Sequence, residues 1–194
     1  SALTELRDQN FCGAVLDFRN NPGGHLSVVL NMADLFSKKI GDIFITEKLR
    51  SRDVVINVRE PLGDFRDFPV VVLVNGGSAS ASEIFAGVLQ DWGHPVVGVK
   101  TFGKGTIQIL ISHENGGRLR LTIAEYLVGN AKKLVHEVGI VPNHVVENPK
   151  RELPEDPIER NKLLDTVDPA SDLQLAKAMD VLRGLAVSCV AVQP

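Results

Sequence analysis

Three apolar segments typical of buried strands each run directly into a loop of glycine and other small or turn-forming residues. They are Cys12–Phe18, Pro69–Val74 and Val96–Val99. The first two loops lead into segments with apolar residues at helical spacing, Leu26–Lys38 and Ser80–Asp91. Strands that alternate with helices predict a layered α/β fold. Since loops that follow parallel strands meet at one edge of the sheet, we expect the three loops to converge.

The rest of the chain adds further predicted elements. Strands are predicted at Asp42–Thr46, Val54–Val58, Thr106–Ile111 and Arg118–Tyr126. The last two should form a hairpin across His113–Gly117. A short helix should end near Asn10 and a last helix should cover Asp172–Leu185. The stretch Asn148–Asp168 should be mostly loop, and Ala186–Pro194 has no clear assignment.

Composition narrows the classes of function. The 194 residues carry 21 basic against 24 acidic side chains, a net charge of −3, which argues against a nucleic-acid partner. No apolar run reaches the ~20 residues that cross a bilayer. Two cysteines, Cys12 and Cys189, are too few for a disulfide framework, and the five histidines lack metal-ligand spacing. The cysteines and histidines therefore do not indicate a metal site.

The loop Asn75–Glu83 places a serine among small residues where a strand turns into a helix. This position suits a nucleophile, because the helix N-terminus offers free N–H groups to an oxyanion. Ser80 and Glu83 also match a capping box, in which the serine only bonds the helix backbone. The loop by itself leaves both interpretations open.

A second loop holds Lys104 between Gly103 and Gly105, with Phe102 in front of them. Burial against an apolar wall would lower the pKa of such a lysine, and a neutral lysine can act as a general base for a serine. The stretch also resembles a phosphate-binding P-loop, but Gly105 stands where that motif needs Ser or Thr and a strand-like segment follows. An exposed lysine in a glycine turn is the third interpretation.

The third loop, Asp17–Gly24, ends in a proline and two glycines. Consecutive glycines let backbone amides approach a ligand closely, as an oxyanion pocket requires. Clusters of Asn, Pro and Gly also form ordinary turns, so this loop alone is not decisive.

Together the loops resemble the C-terminal processing peptidases, the tail-specific serine proteases with a Ser/Lys dyad. The matching motifs are DFRNNPGG at Asp17–Gly24, GSASASEI at Gly77–Ile84, TFGKGTIQ at Thr101–Gln108 and the weaker VGIVPNHVVE at Val138–Glu147. The resemblance covers residues 3–147, with a looser match over Asp172–Leu182. It implies an α/β fold with a layered β-sheet and flanking helices, of the ClpP/crotonase-like protease core type.

The resemblance also assigns roles to individual residues. It makes Ser80 the nucleophile, Lys104 the general base and Gln108 the side chain that orients the lysine. It places the oxyanion hole at the amides of Ala81 and one glycine of the Gly23–Gly24 pair, and which glycine stays open. The implied reaction is acyl transfer, in a serine endopeptidase that cleaves proteins near their C-terminus. This reaction needs neither a metal nor an organic cofactor.

Further expectations follow from the same resemblance. Partners would be protein or peptide substrates with apolar C-termini, and the location would be the bacterial cell envelope or periplasm. Family members usually carry a PDZ domain and an opening strand, so we expect residues 1–147 to be a catalytic core, residues 148–194 a C-terminal extension, and the chain a fragment of the full enzyme. A non-catalytic peptide- or ligand-binding protein on the same fold is the alternative.

Two further positions carry expectations. Asp91 matches an acid that is important in some members, although a solvated residue at the helix end is the simpler explanation. The spacing from Ser80 to Lys104 is one residue shorter than in the family, and the turn Gly93–Pro95 could absorb the difference.

Overall fold

The structure is a computed structural model that describes residues 2–59, 63–113, 116–149, 155–156 and 171–185. The unassigned tail 186–194 and most of the loop predicted over 148–168 lie outside these residues. Among them, the helices are α1 (Ala2–Asp8), α2 (Leu26–Asp34), α3 (Ala81–Asp91) and α4 (Leu173–Leu185). The strands are β1 (Ala14–Asp17), β2 (Ile43–Leu49), β3 (Asp53–Asn57), β4 (Val70–Val74), β5 (Val96–Gly98), β6 (Thr106–Ser112), β7 (Arg118–Val128), β8 (Lys133–Leu134) and β9 (His144–Val145).

A parallel four-stranded sheet has the order β1-β4-β5-β9. Its register pairs Ala14 with Val70, Val72 with Val96 and Val97 with His144. The strands β1, β4 and β5 point the same way and are neighbours, so the loops after them emerge at one edge. The predicted convergence of the three loops is confirmed.

An antiparallel sheet has the order β3-β2-β7-β6, with β8 paired to β7. The hairpin predicted across residues 113–117 joins β6 to β7, and the His113 amide donates to the Gly117 carbonyl at 2.8 Å. Because β6 begins directly after the loop that holds Lys104, this sheet fixes one end of that loop.

Alternation along β4 divides the core into two clusters. Val70, Val72 and Val74 pack toward α3, in the main cluster that also contains residues of the antiparallel sheet. Val71 and Leu73 pack on the other face against α4. Since α3 contacts both β2 and β7 as well, it lies between the two sheets and is buried from Ala81 to Leu89. The layered α/β fold expected from the sequence is confirmed.

Helix α2 is shorter than predicted, since it ends at Asp34 instead of Lys38. The residues that follow bind another loop instead of continuing the helix. The Leu35 carbonyl accepts from the Phe65 amide at 2.8 Å, and the Ser37 carbonyl and hydroxyl accept from the Gly63 amide at 3.2 and 3.0 Å. In the part of the chain that the structure describes, no helix is long and apolar enough to cross a bilayer.

Candidate active site

Three loops surround the candidate site, and we name them by their chemistry. The Gly-Gly loop (residues 18–24) follows β1, the serine loop (residues 75–80) follows β4, and the lysine loop (residues 99–105) follows β5. A cavity of about 430 Å³ is lined by the predicted site residues Gly24, Ser80, Ala81, Lys104 and Gln108. The tertiary structure thus brings five of the six together, and Gly23 lies behind them at a neighbouring cavity.

Ser80 occupies a strained turn between β4 and α3. Its φ of 56° and ψ of −119° lie in a region that residues other than glycine seldom adopt. Ser80 and Glu83 form the capping-box arrangement, in which the Ser80 amide donates to Glu83 Oε2 at 2.8 Å and the Glu83 amide donates to the Ser80 carbonyl at 2.9 Å. Ser80 also lines the cavity, so the helix cap and the candidate nucleophile are the same residue.

The carboxylate of Glu83 joins the serine loop to the lysine loop. It is fully buried and accepts four hydrogen bonds. One oxygen accepts from Thr101 Oγ1 at 2.5 Å and the Gly103 amide at 2.7 Å, and the other accepts from the Ser80 and Lys104 amides, both at 2.8 Å. Because both catalytic candidates bond the same carboxylate oxygen through their backbones, Glu83 sets their spacing.

Tyr126 on β7 makes a second connection between the same two residues. Its hydroxyl donates to the Lys104 carbonyl and lies 3.3 Å from the Ser80 carbonyl. Burial, helped by the charge of Glu83, raises the pKa of Tyr126 well above its usual range. The hydroxyl therefore stays protonated and remains a donor.

Sequence reasoning missed these two connecting side chains. Glu83 was considered only as part of a capping box, and Tyr126 not at all. The single tyrosine of the chain within a predicted strand was a weak signal for a buried polar tip, because buried tyrosines usually find a hydrogen-bond partner.

Lys104 is exposed, and the expectation that it is buried against Phe102 is wrong, since Phe102 is itself 67% exposed. The two glycines beside Lys104, and not the lysine, pack against the backbone of His136 and Glu137. A Cβ on Gly105 would lie 2.3 Å from the His136 amide nitrogen. This close backbone approach turns the Lys104 side chain toward the open cavity. Within the described ranges its amine makes no ion pair or hydrogen bond.

Gln108 lines the same cavity from β6. Its side-chain amide donates to Thr122 Oγ1 at 3.1 Å, across to β7. The register shifts between Ile107 and Gln108, which is the mark of a bulge. The neighbouring strand thus fixes the side chain that the resemblance assigns to orienting Lys104.

The two glycines of the Gly-Gly loop differ in their surroundings. The Gly23 amide donates to Asn21 Oδ1 at 2.9 Å, and a Cβ at Gly23 would lie 2.7 Å from the Ala81 nitrogen. Gly24 lines the cavity and has no atom within 4 Å of the place of a Cβ. Among the described residues, the amides of Gly24 and Ala81 have no hydrogen-bond acceptor.

Side-chain and backbone bonds fasten the Gly-Gly loop to the serine loop. The Asn20 amide donates to Asn75 Oδ1 and the Asn75 side chain donates back to Asn20 Oδ1, both at 2.9 Å. Ser78 Oγ donates to the Phe18 carbonyl at 2.8 Å, and the Ala79 amide to the Asn21 carbonyl at 3.0 Å. These bonds place backbone amides of both loops at one side of the cavity.

Asp91 is neither simply solvated nor part of the cavity. Its carboxylate accepts from the amide and the side chain of Asn130 at 2.8 and 3.1 Å, and from the Ala131 amide at 3.3 Å. It therefore ties the end of α3 to the turn between β7 and β8.

The P-loop interpretation does not fit the structure. The lysine loop leads into strand β6, whereas a phosphate-binding loop needs a helix N-terminus there. Over the described residues, no group of three or more His, Cys, Asp or Glu side chains is placed to hold a metal ion.

Comparison with known proteins identifies the family. The model of peptidase family S41 matches residues 1–146. The chain belongs to peptidase family S41. This S41 chain is 44% identical over 139 residues to a carboxy-terminal-processing protease of Bartonella bacilliformis, and 36% identical over 184 residues to a carboxyl-terminal-processing protease of Synechocystis sp.. These alignments cover 71% and 94% of the chain but 31% and 40% of the relatives.

A solved structure supports the same assignment. The photosystem II D1 C-terminal processing protease superposes with a TM-score of 0.68 at 32% identity, over 85% of this chain and 42% of that one. The chain thus spans well under half the length of these three relatives.

Proposed function

We propose that this S41 chain carries the catalytic core, over residues 1–147, of a serine endopeptidase that cleaves proteins near their C-terminus. The observation that carries the proposal is the convergence of Ser80, Lys104 and two unbonded backbone amides on one cavity. The relatives named carboxy-terminal-processing proteases support the class of reaction.

In the proposed mechanism, Lys104 accepts the proton of the Ser80 hydroxyl as the oxygen attacks the scissile carbonyl. An acyl-enzyme forms, the proton passes to the leaving amine, and water then releases the acyl group. Glu83 and Tyr126 act on the backbones of the two residues and hold the lysine loop beside the serine loop. Gln108, fixed by Thr122, would orient the Lys104 amine.

We assign the oxyanion hole to the amides of Ala81 and Gly24. The Gly23 amide is occupied by Asn21, whereas the Gly24 amide is unbonded and Gly24 lines the cavity with Ser80. The Ala81 amide is the first of α3, where the helix dipole adds positive potential. Gly23 serves the site differently, since its lack of a Cβ lets the Gly-Gly loop press against the Ser80–Ala81 turn.

The proposed substrates are proteins or peptides with apolar C-termini, in the bacterial cell envelope or periplasm. Both features come from the resemblance to tail-specific proteases. A cavity bordered by Ile107, Ile109 and Leu110 is consistent with an apolar segment of substrate.

The dyad is tested by substitution in the full-length protein, assayed on a peptide with an apolar C-terminus. Ser80→Ala and Lys104→Ala should each lower kcat by about 10³-fold or more, because each removes a group that acts in the bond-making step. Matched controls are Ser82→Ala, the next serine on α3, and Lys100→Ala, another exposed lysine, and both should retain activity close to the parent. Parent-like turnover in the Ser80 and Lys104 variants would favour a non-catalytic binding protein on this fold.

A further inference from the structure

A partly buried ion pair joins the residue before α4 to the Gly-Gly loop, and the proposed reaction does not use it. Arg19 Nη1 donates to the two Asp172 carboxylate oxygens at 2.9 and 2.7 Å and to Gln174 Oε1 at 3.2 Å. Arg19 Nε and Nη2 donate to the Asp17 carboxylate at 2.7 to 3.1 Å. Two carboxylates thus fix both the position and the plane of one guanidinium.

Asp172 is enclosed at this contact, with 6% of its surface exposed. One of its oxygens also accepts from the Leu175 amide at 3.0 Å and from Asn148 Nδ2 at 2.9 Å. Burial alone would raise the pKa of Asp172, but these donors and the Arg19 charge bring it below its usual value. Leu175 and Asn148 both bond Oδ1, whereas among the described residues the partner of Oδ2 is Arg19, so this oxygen loses its donor if Arg19 moves.

Arg19 stands at the start of the backbone path that leads to Gly24. Residues 20–22 and 24 of that path are exposed, and the hydrogen bonds of Asn20 and Asn21 to the serine loop hold the path from one side. Asn20 and Gly23 have φ values of 56° and 95°, a left-handed path that the backbone does not adopt by default. The Arg19 contact is the anchor at the start of this path, and its loss would leave the serine loop to hold the Gly24 amide in position.

We infer that Asp172 is a positioning residue for the peptidase reaction. Through Arg19 it holds the Gly-Gly loop so that the Gly24 amide points to the oxyanion site. This role rests on the proposed function and makes α4 part of the catalytic apparatus, although no residue of α4 lines the cavity.

The test compares Asp172→Asn with Asp180→Asn in the full-length protein. Asparagine keeps an oxygen for Leu175 and Asn148 but removes the charge and one acceptor facing Arg19. Asp180 is a control on α4, the helix that begins directly after Asp172, and its pair with Lys177 is exposed. Asp172→Asn should lower kcat about tenfold and leave KM within about twofold, as expected for a donor used in the transition state.

Amide hydrogen exchange adds a readout that does not depend on turnover. The amides of Asn20, Gly23 and Ala79, which are bonded within the two loops, should exchange faster in Asp172→Asn and unchanged in Asp180→Asn. Arg19→Lys should lower kcat at least as much as Asp172→Asn, because it also removes the bonds of the guanidinium to Asp17. The double variant should be no worse than Arg19→Lys alone, because the contact between Arg19 and Asp172 is already lost there.

Several outcomes would overturn the role of Asp172. One is an active parent protein whose Asp172→Asn and Asp180→Asn variants have equal kcat. Another is an effect of Asp172→Asn on KM alone, and a third is faster amide exchange in Asp172→Asn with kcat unchanged. A parent that cleaves no peptide would instead overturn the proposed function, and the role with it.

Discussion

At the scale of single residues, the site depends on a carboxylate that performs no step of the proposed chemistry. Each oxygen of Glu83 accepts two hydrogen bonds, so both carboxylate oxygens are satisfied. A buried charge is tolerated when donors surround it, and becomes costly once one of them is lost. Ser80 and Lys104 are therefore coupled through a third residue as well as through the cavity.

We expect Glu83→Gln to lower the free energy of unfolding by about 3 kcal/mol, because its NH₂ group cannot accept a hydrogen bond and would face at least one N–H donor in either orientation of the amide. Urea unfolding of the variant and the parent measures the difference. Glu137→Gln is the control, since 86% of that side chain is exposed, and it should change stability by about 0.5 kcal/mol or less. Equal stabilities of Glu83→Gln and the control would contradict this assignment of four donors.

At the scale of elements, the site is a contact between two loop backbones. The Gly-Gly loop meets the serine loop so closely that a Cβ at Gly23 would lie 2.6 Å from the Ala79 carbonyl oxygen. The φ of Gly23, 95°, adds strain for any other residue. Because Gly23 has no Cβ, the loops that follow β1 and β4 can lie in direct contact.

Gly23→Ala should therefore destabilise the fold by about 3 kcal/mol, from the contact and the φ value together. Gly24→Ala is the matched neighbour, because a Cβ there meets no atom within 4 Å, and its stability should stay within about 0.5 kcal/mol of the parent. Thermal unfolding of the two variants side by side measures the contrast. Similar melting temperatures would mean that the loops do not touch at Gly23.

At the scale of the whole molecule, one buried histidine links stability to pH. His94 is 7% exposed, packs edge-on against Phe36 with ring centroids 5.9 Å apart, and has a buried Nε2 without a partner among the described residues. Burial, and to a smaller extent the charge of Lys38, lowers the pKa of His94 to about 4. The folded state therefore binds this proton less readily than the unfolded state, whose histidine titrates near 6.5.

The neutral state of His94 contributes about 3 kcal/mol to the free energy of unfolding. This contribution is fully present above pH 6.5 and is lost as the pH falls toward about 4. Urea unfolding of the parent at pH 7, 6, 5 and 4 should show this loss. His94→Phe, which keeps a ring against Phe36, should flatten the pH dependence, and His113→Gln, at an exposed histidine, should not. If the free energy of unfolding of His94→Phe falls with pH as steeply as that of the parent, the loss of stability comes from other groups.

The outlines of the fold and of the site could be predicted from the sequence because they depend on local patterns. The run Pro69–Val74 is apolar at every position after the proline, and β4 occupies it from Val70. The loops that follow neighbouring parallel strands lie at one edge of the sheet. Ser80, Lys104 and the glycine pair could therefore be grouped from the sequence. The end of α2 was misplaced because Phe65 and Gly63, far along the chain, bind the backbone of Leu35 and Ser37.

The sequence by itself determined which chemical groups the site has and which loops hold them, since residue type and spacing along one chain are local properties. The tertiary structure alone decided the exposure of Lys104, the unbonded state of the Gly24 amide where the Gly23 amide is bonded, and the four donors around Glu83. It also decided the pairing of Arg19 with Asp172, which lie 153 residues apart. These contacts depend on which backbones approach closely in space, and hydrogen bonds between distant segments leave no periodic pattern in the sequence.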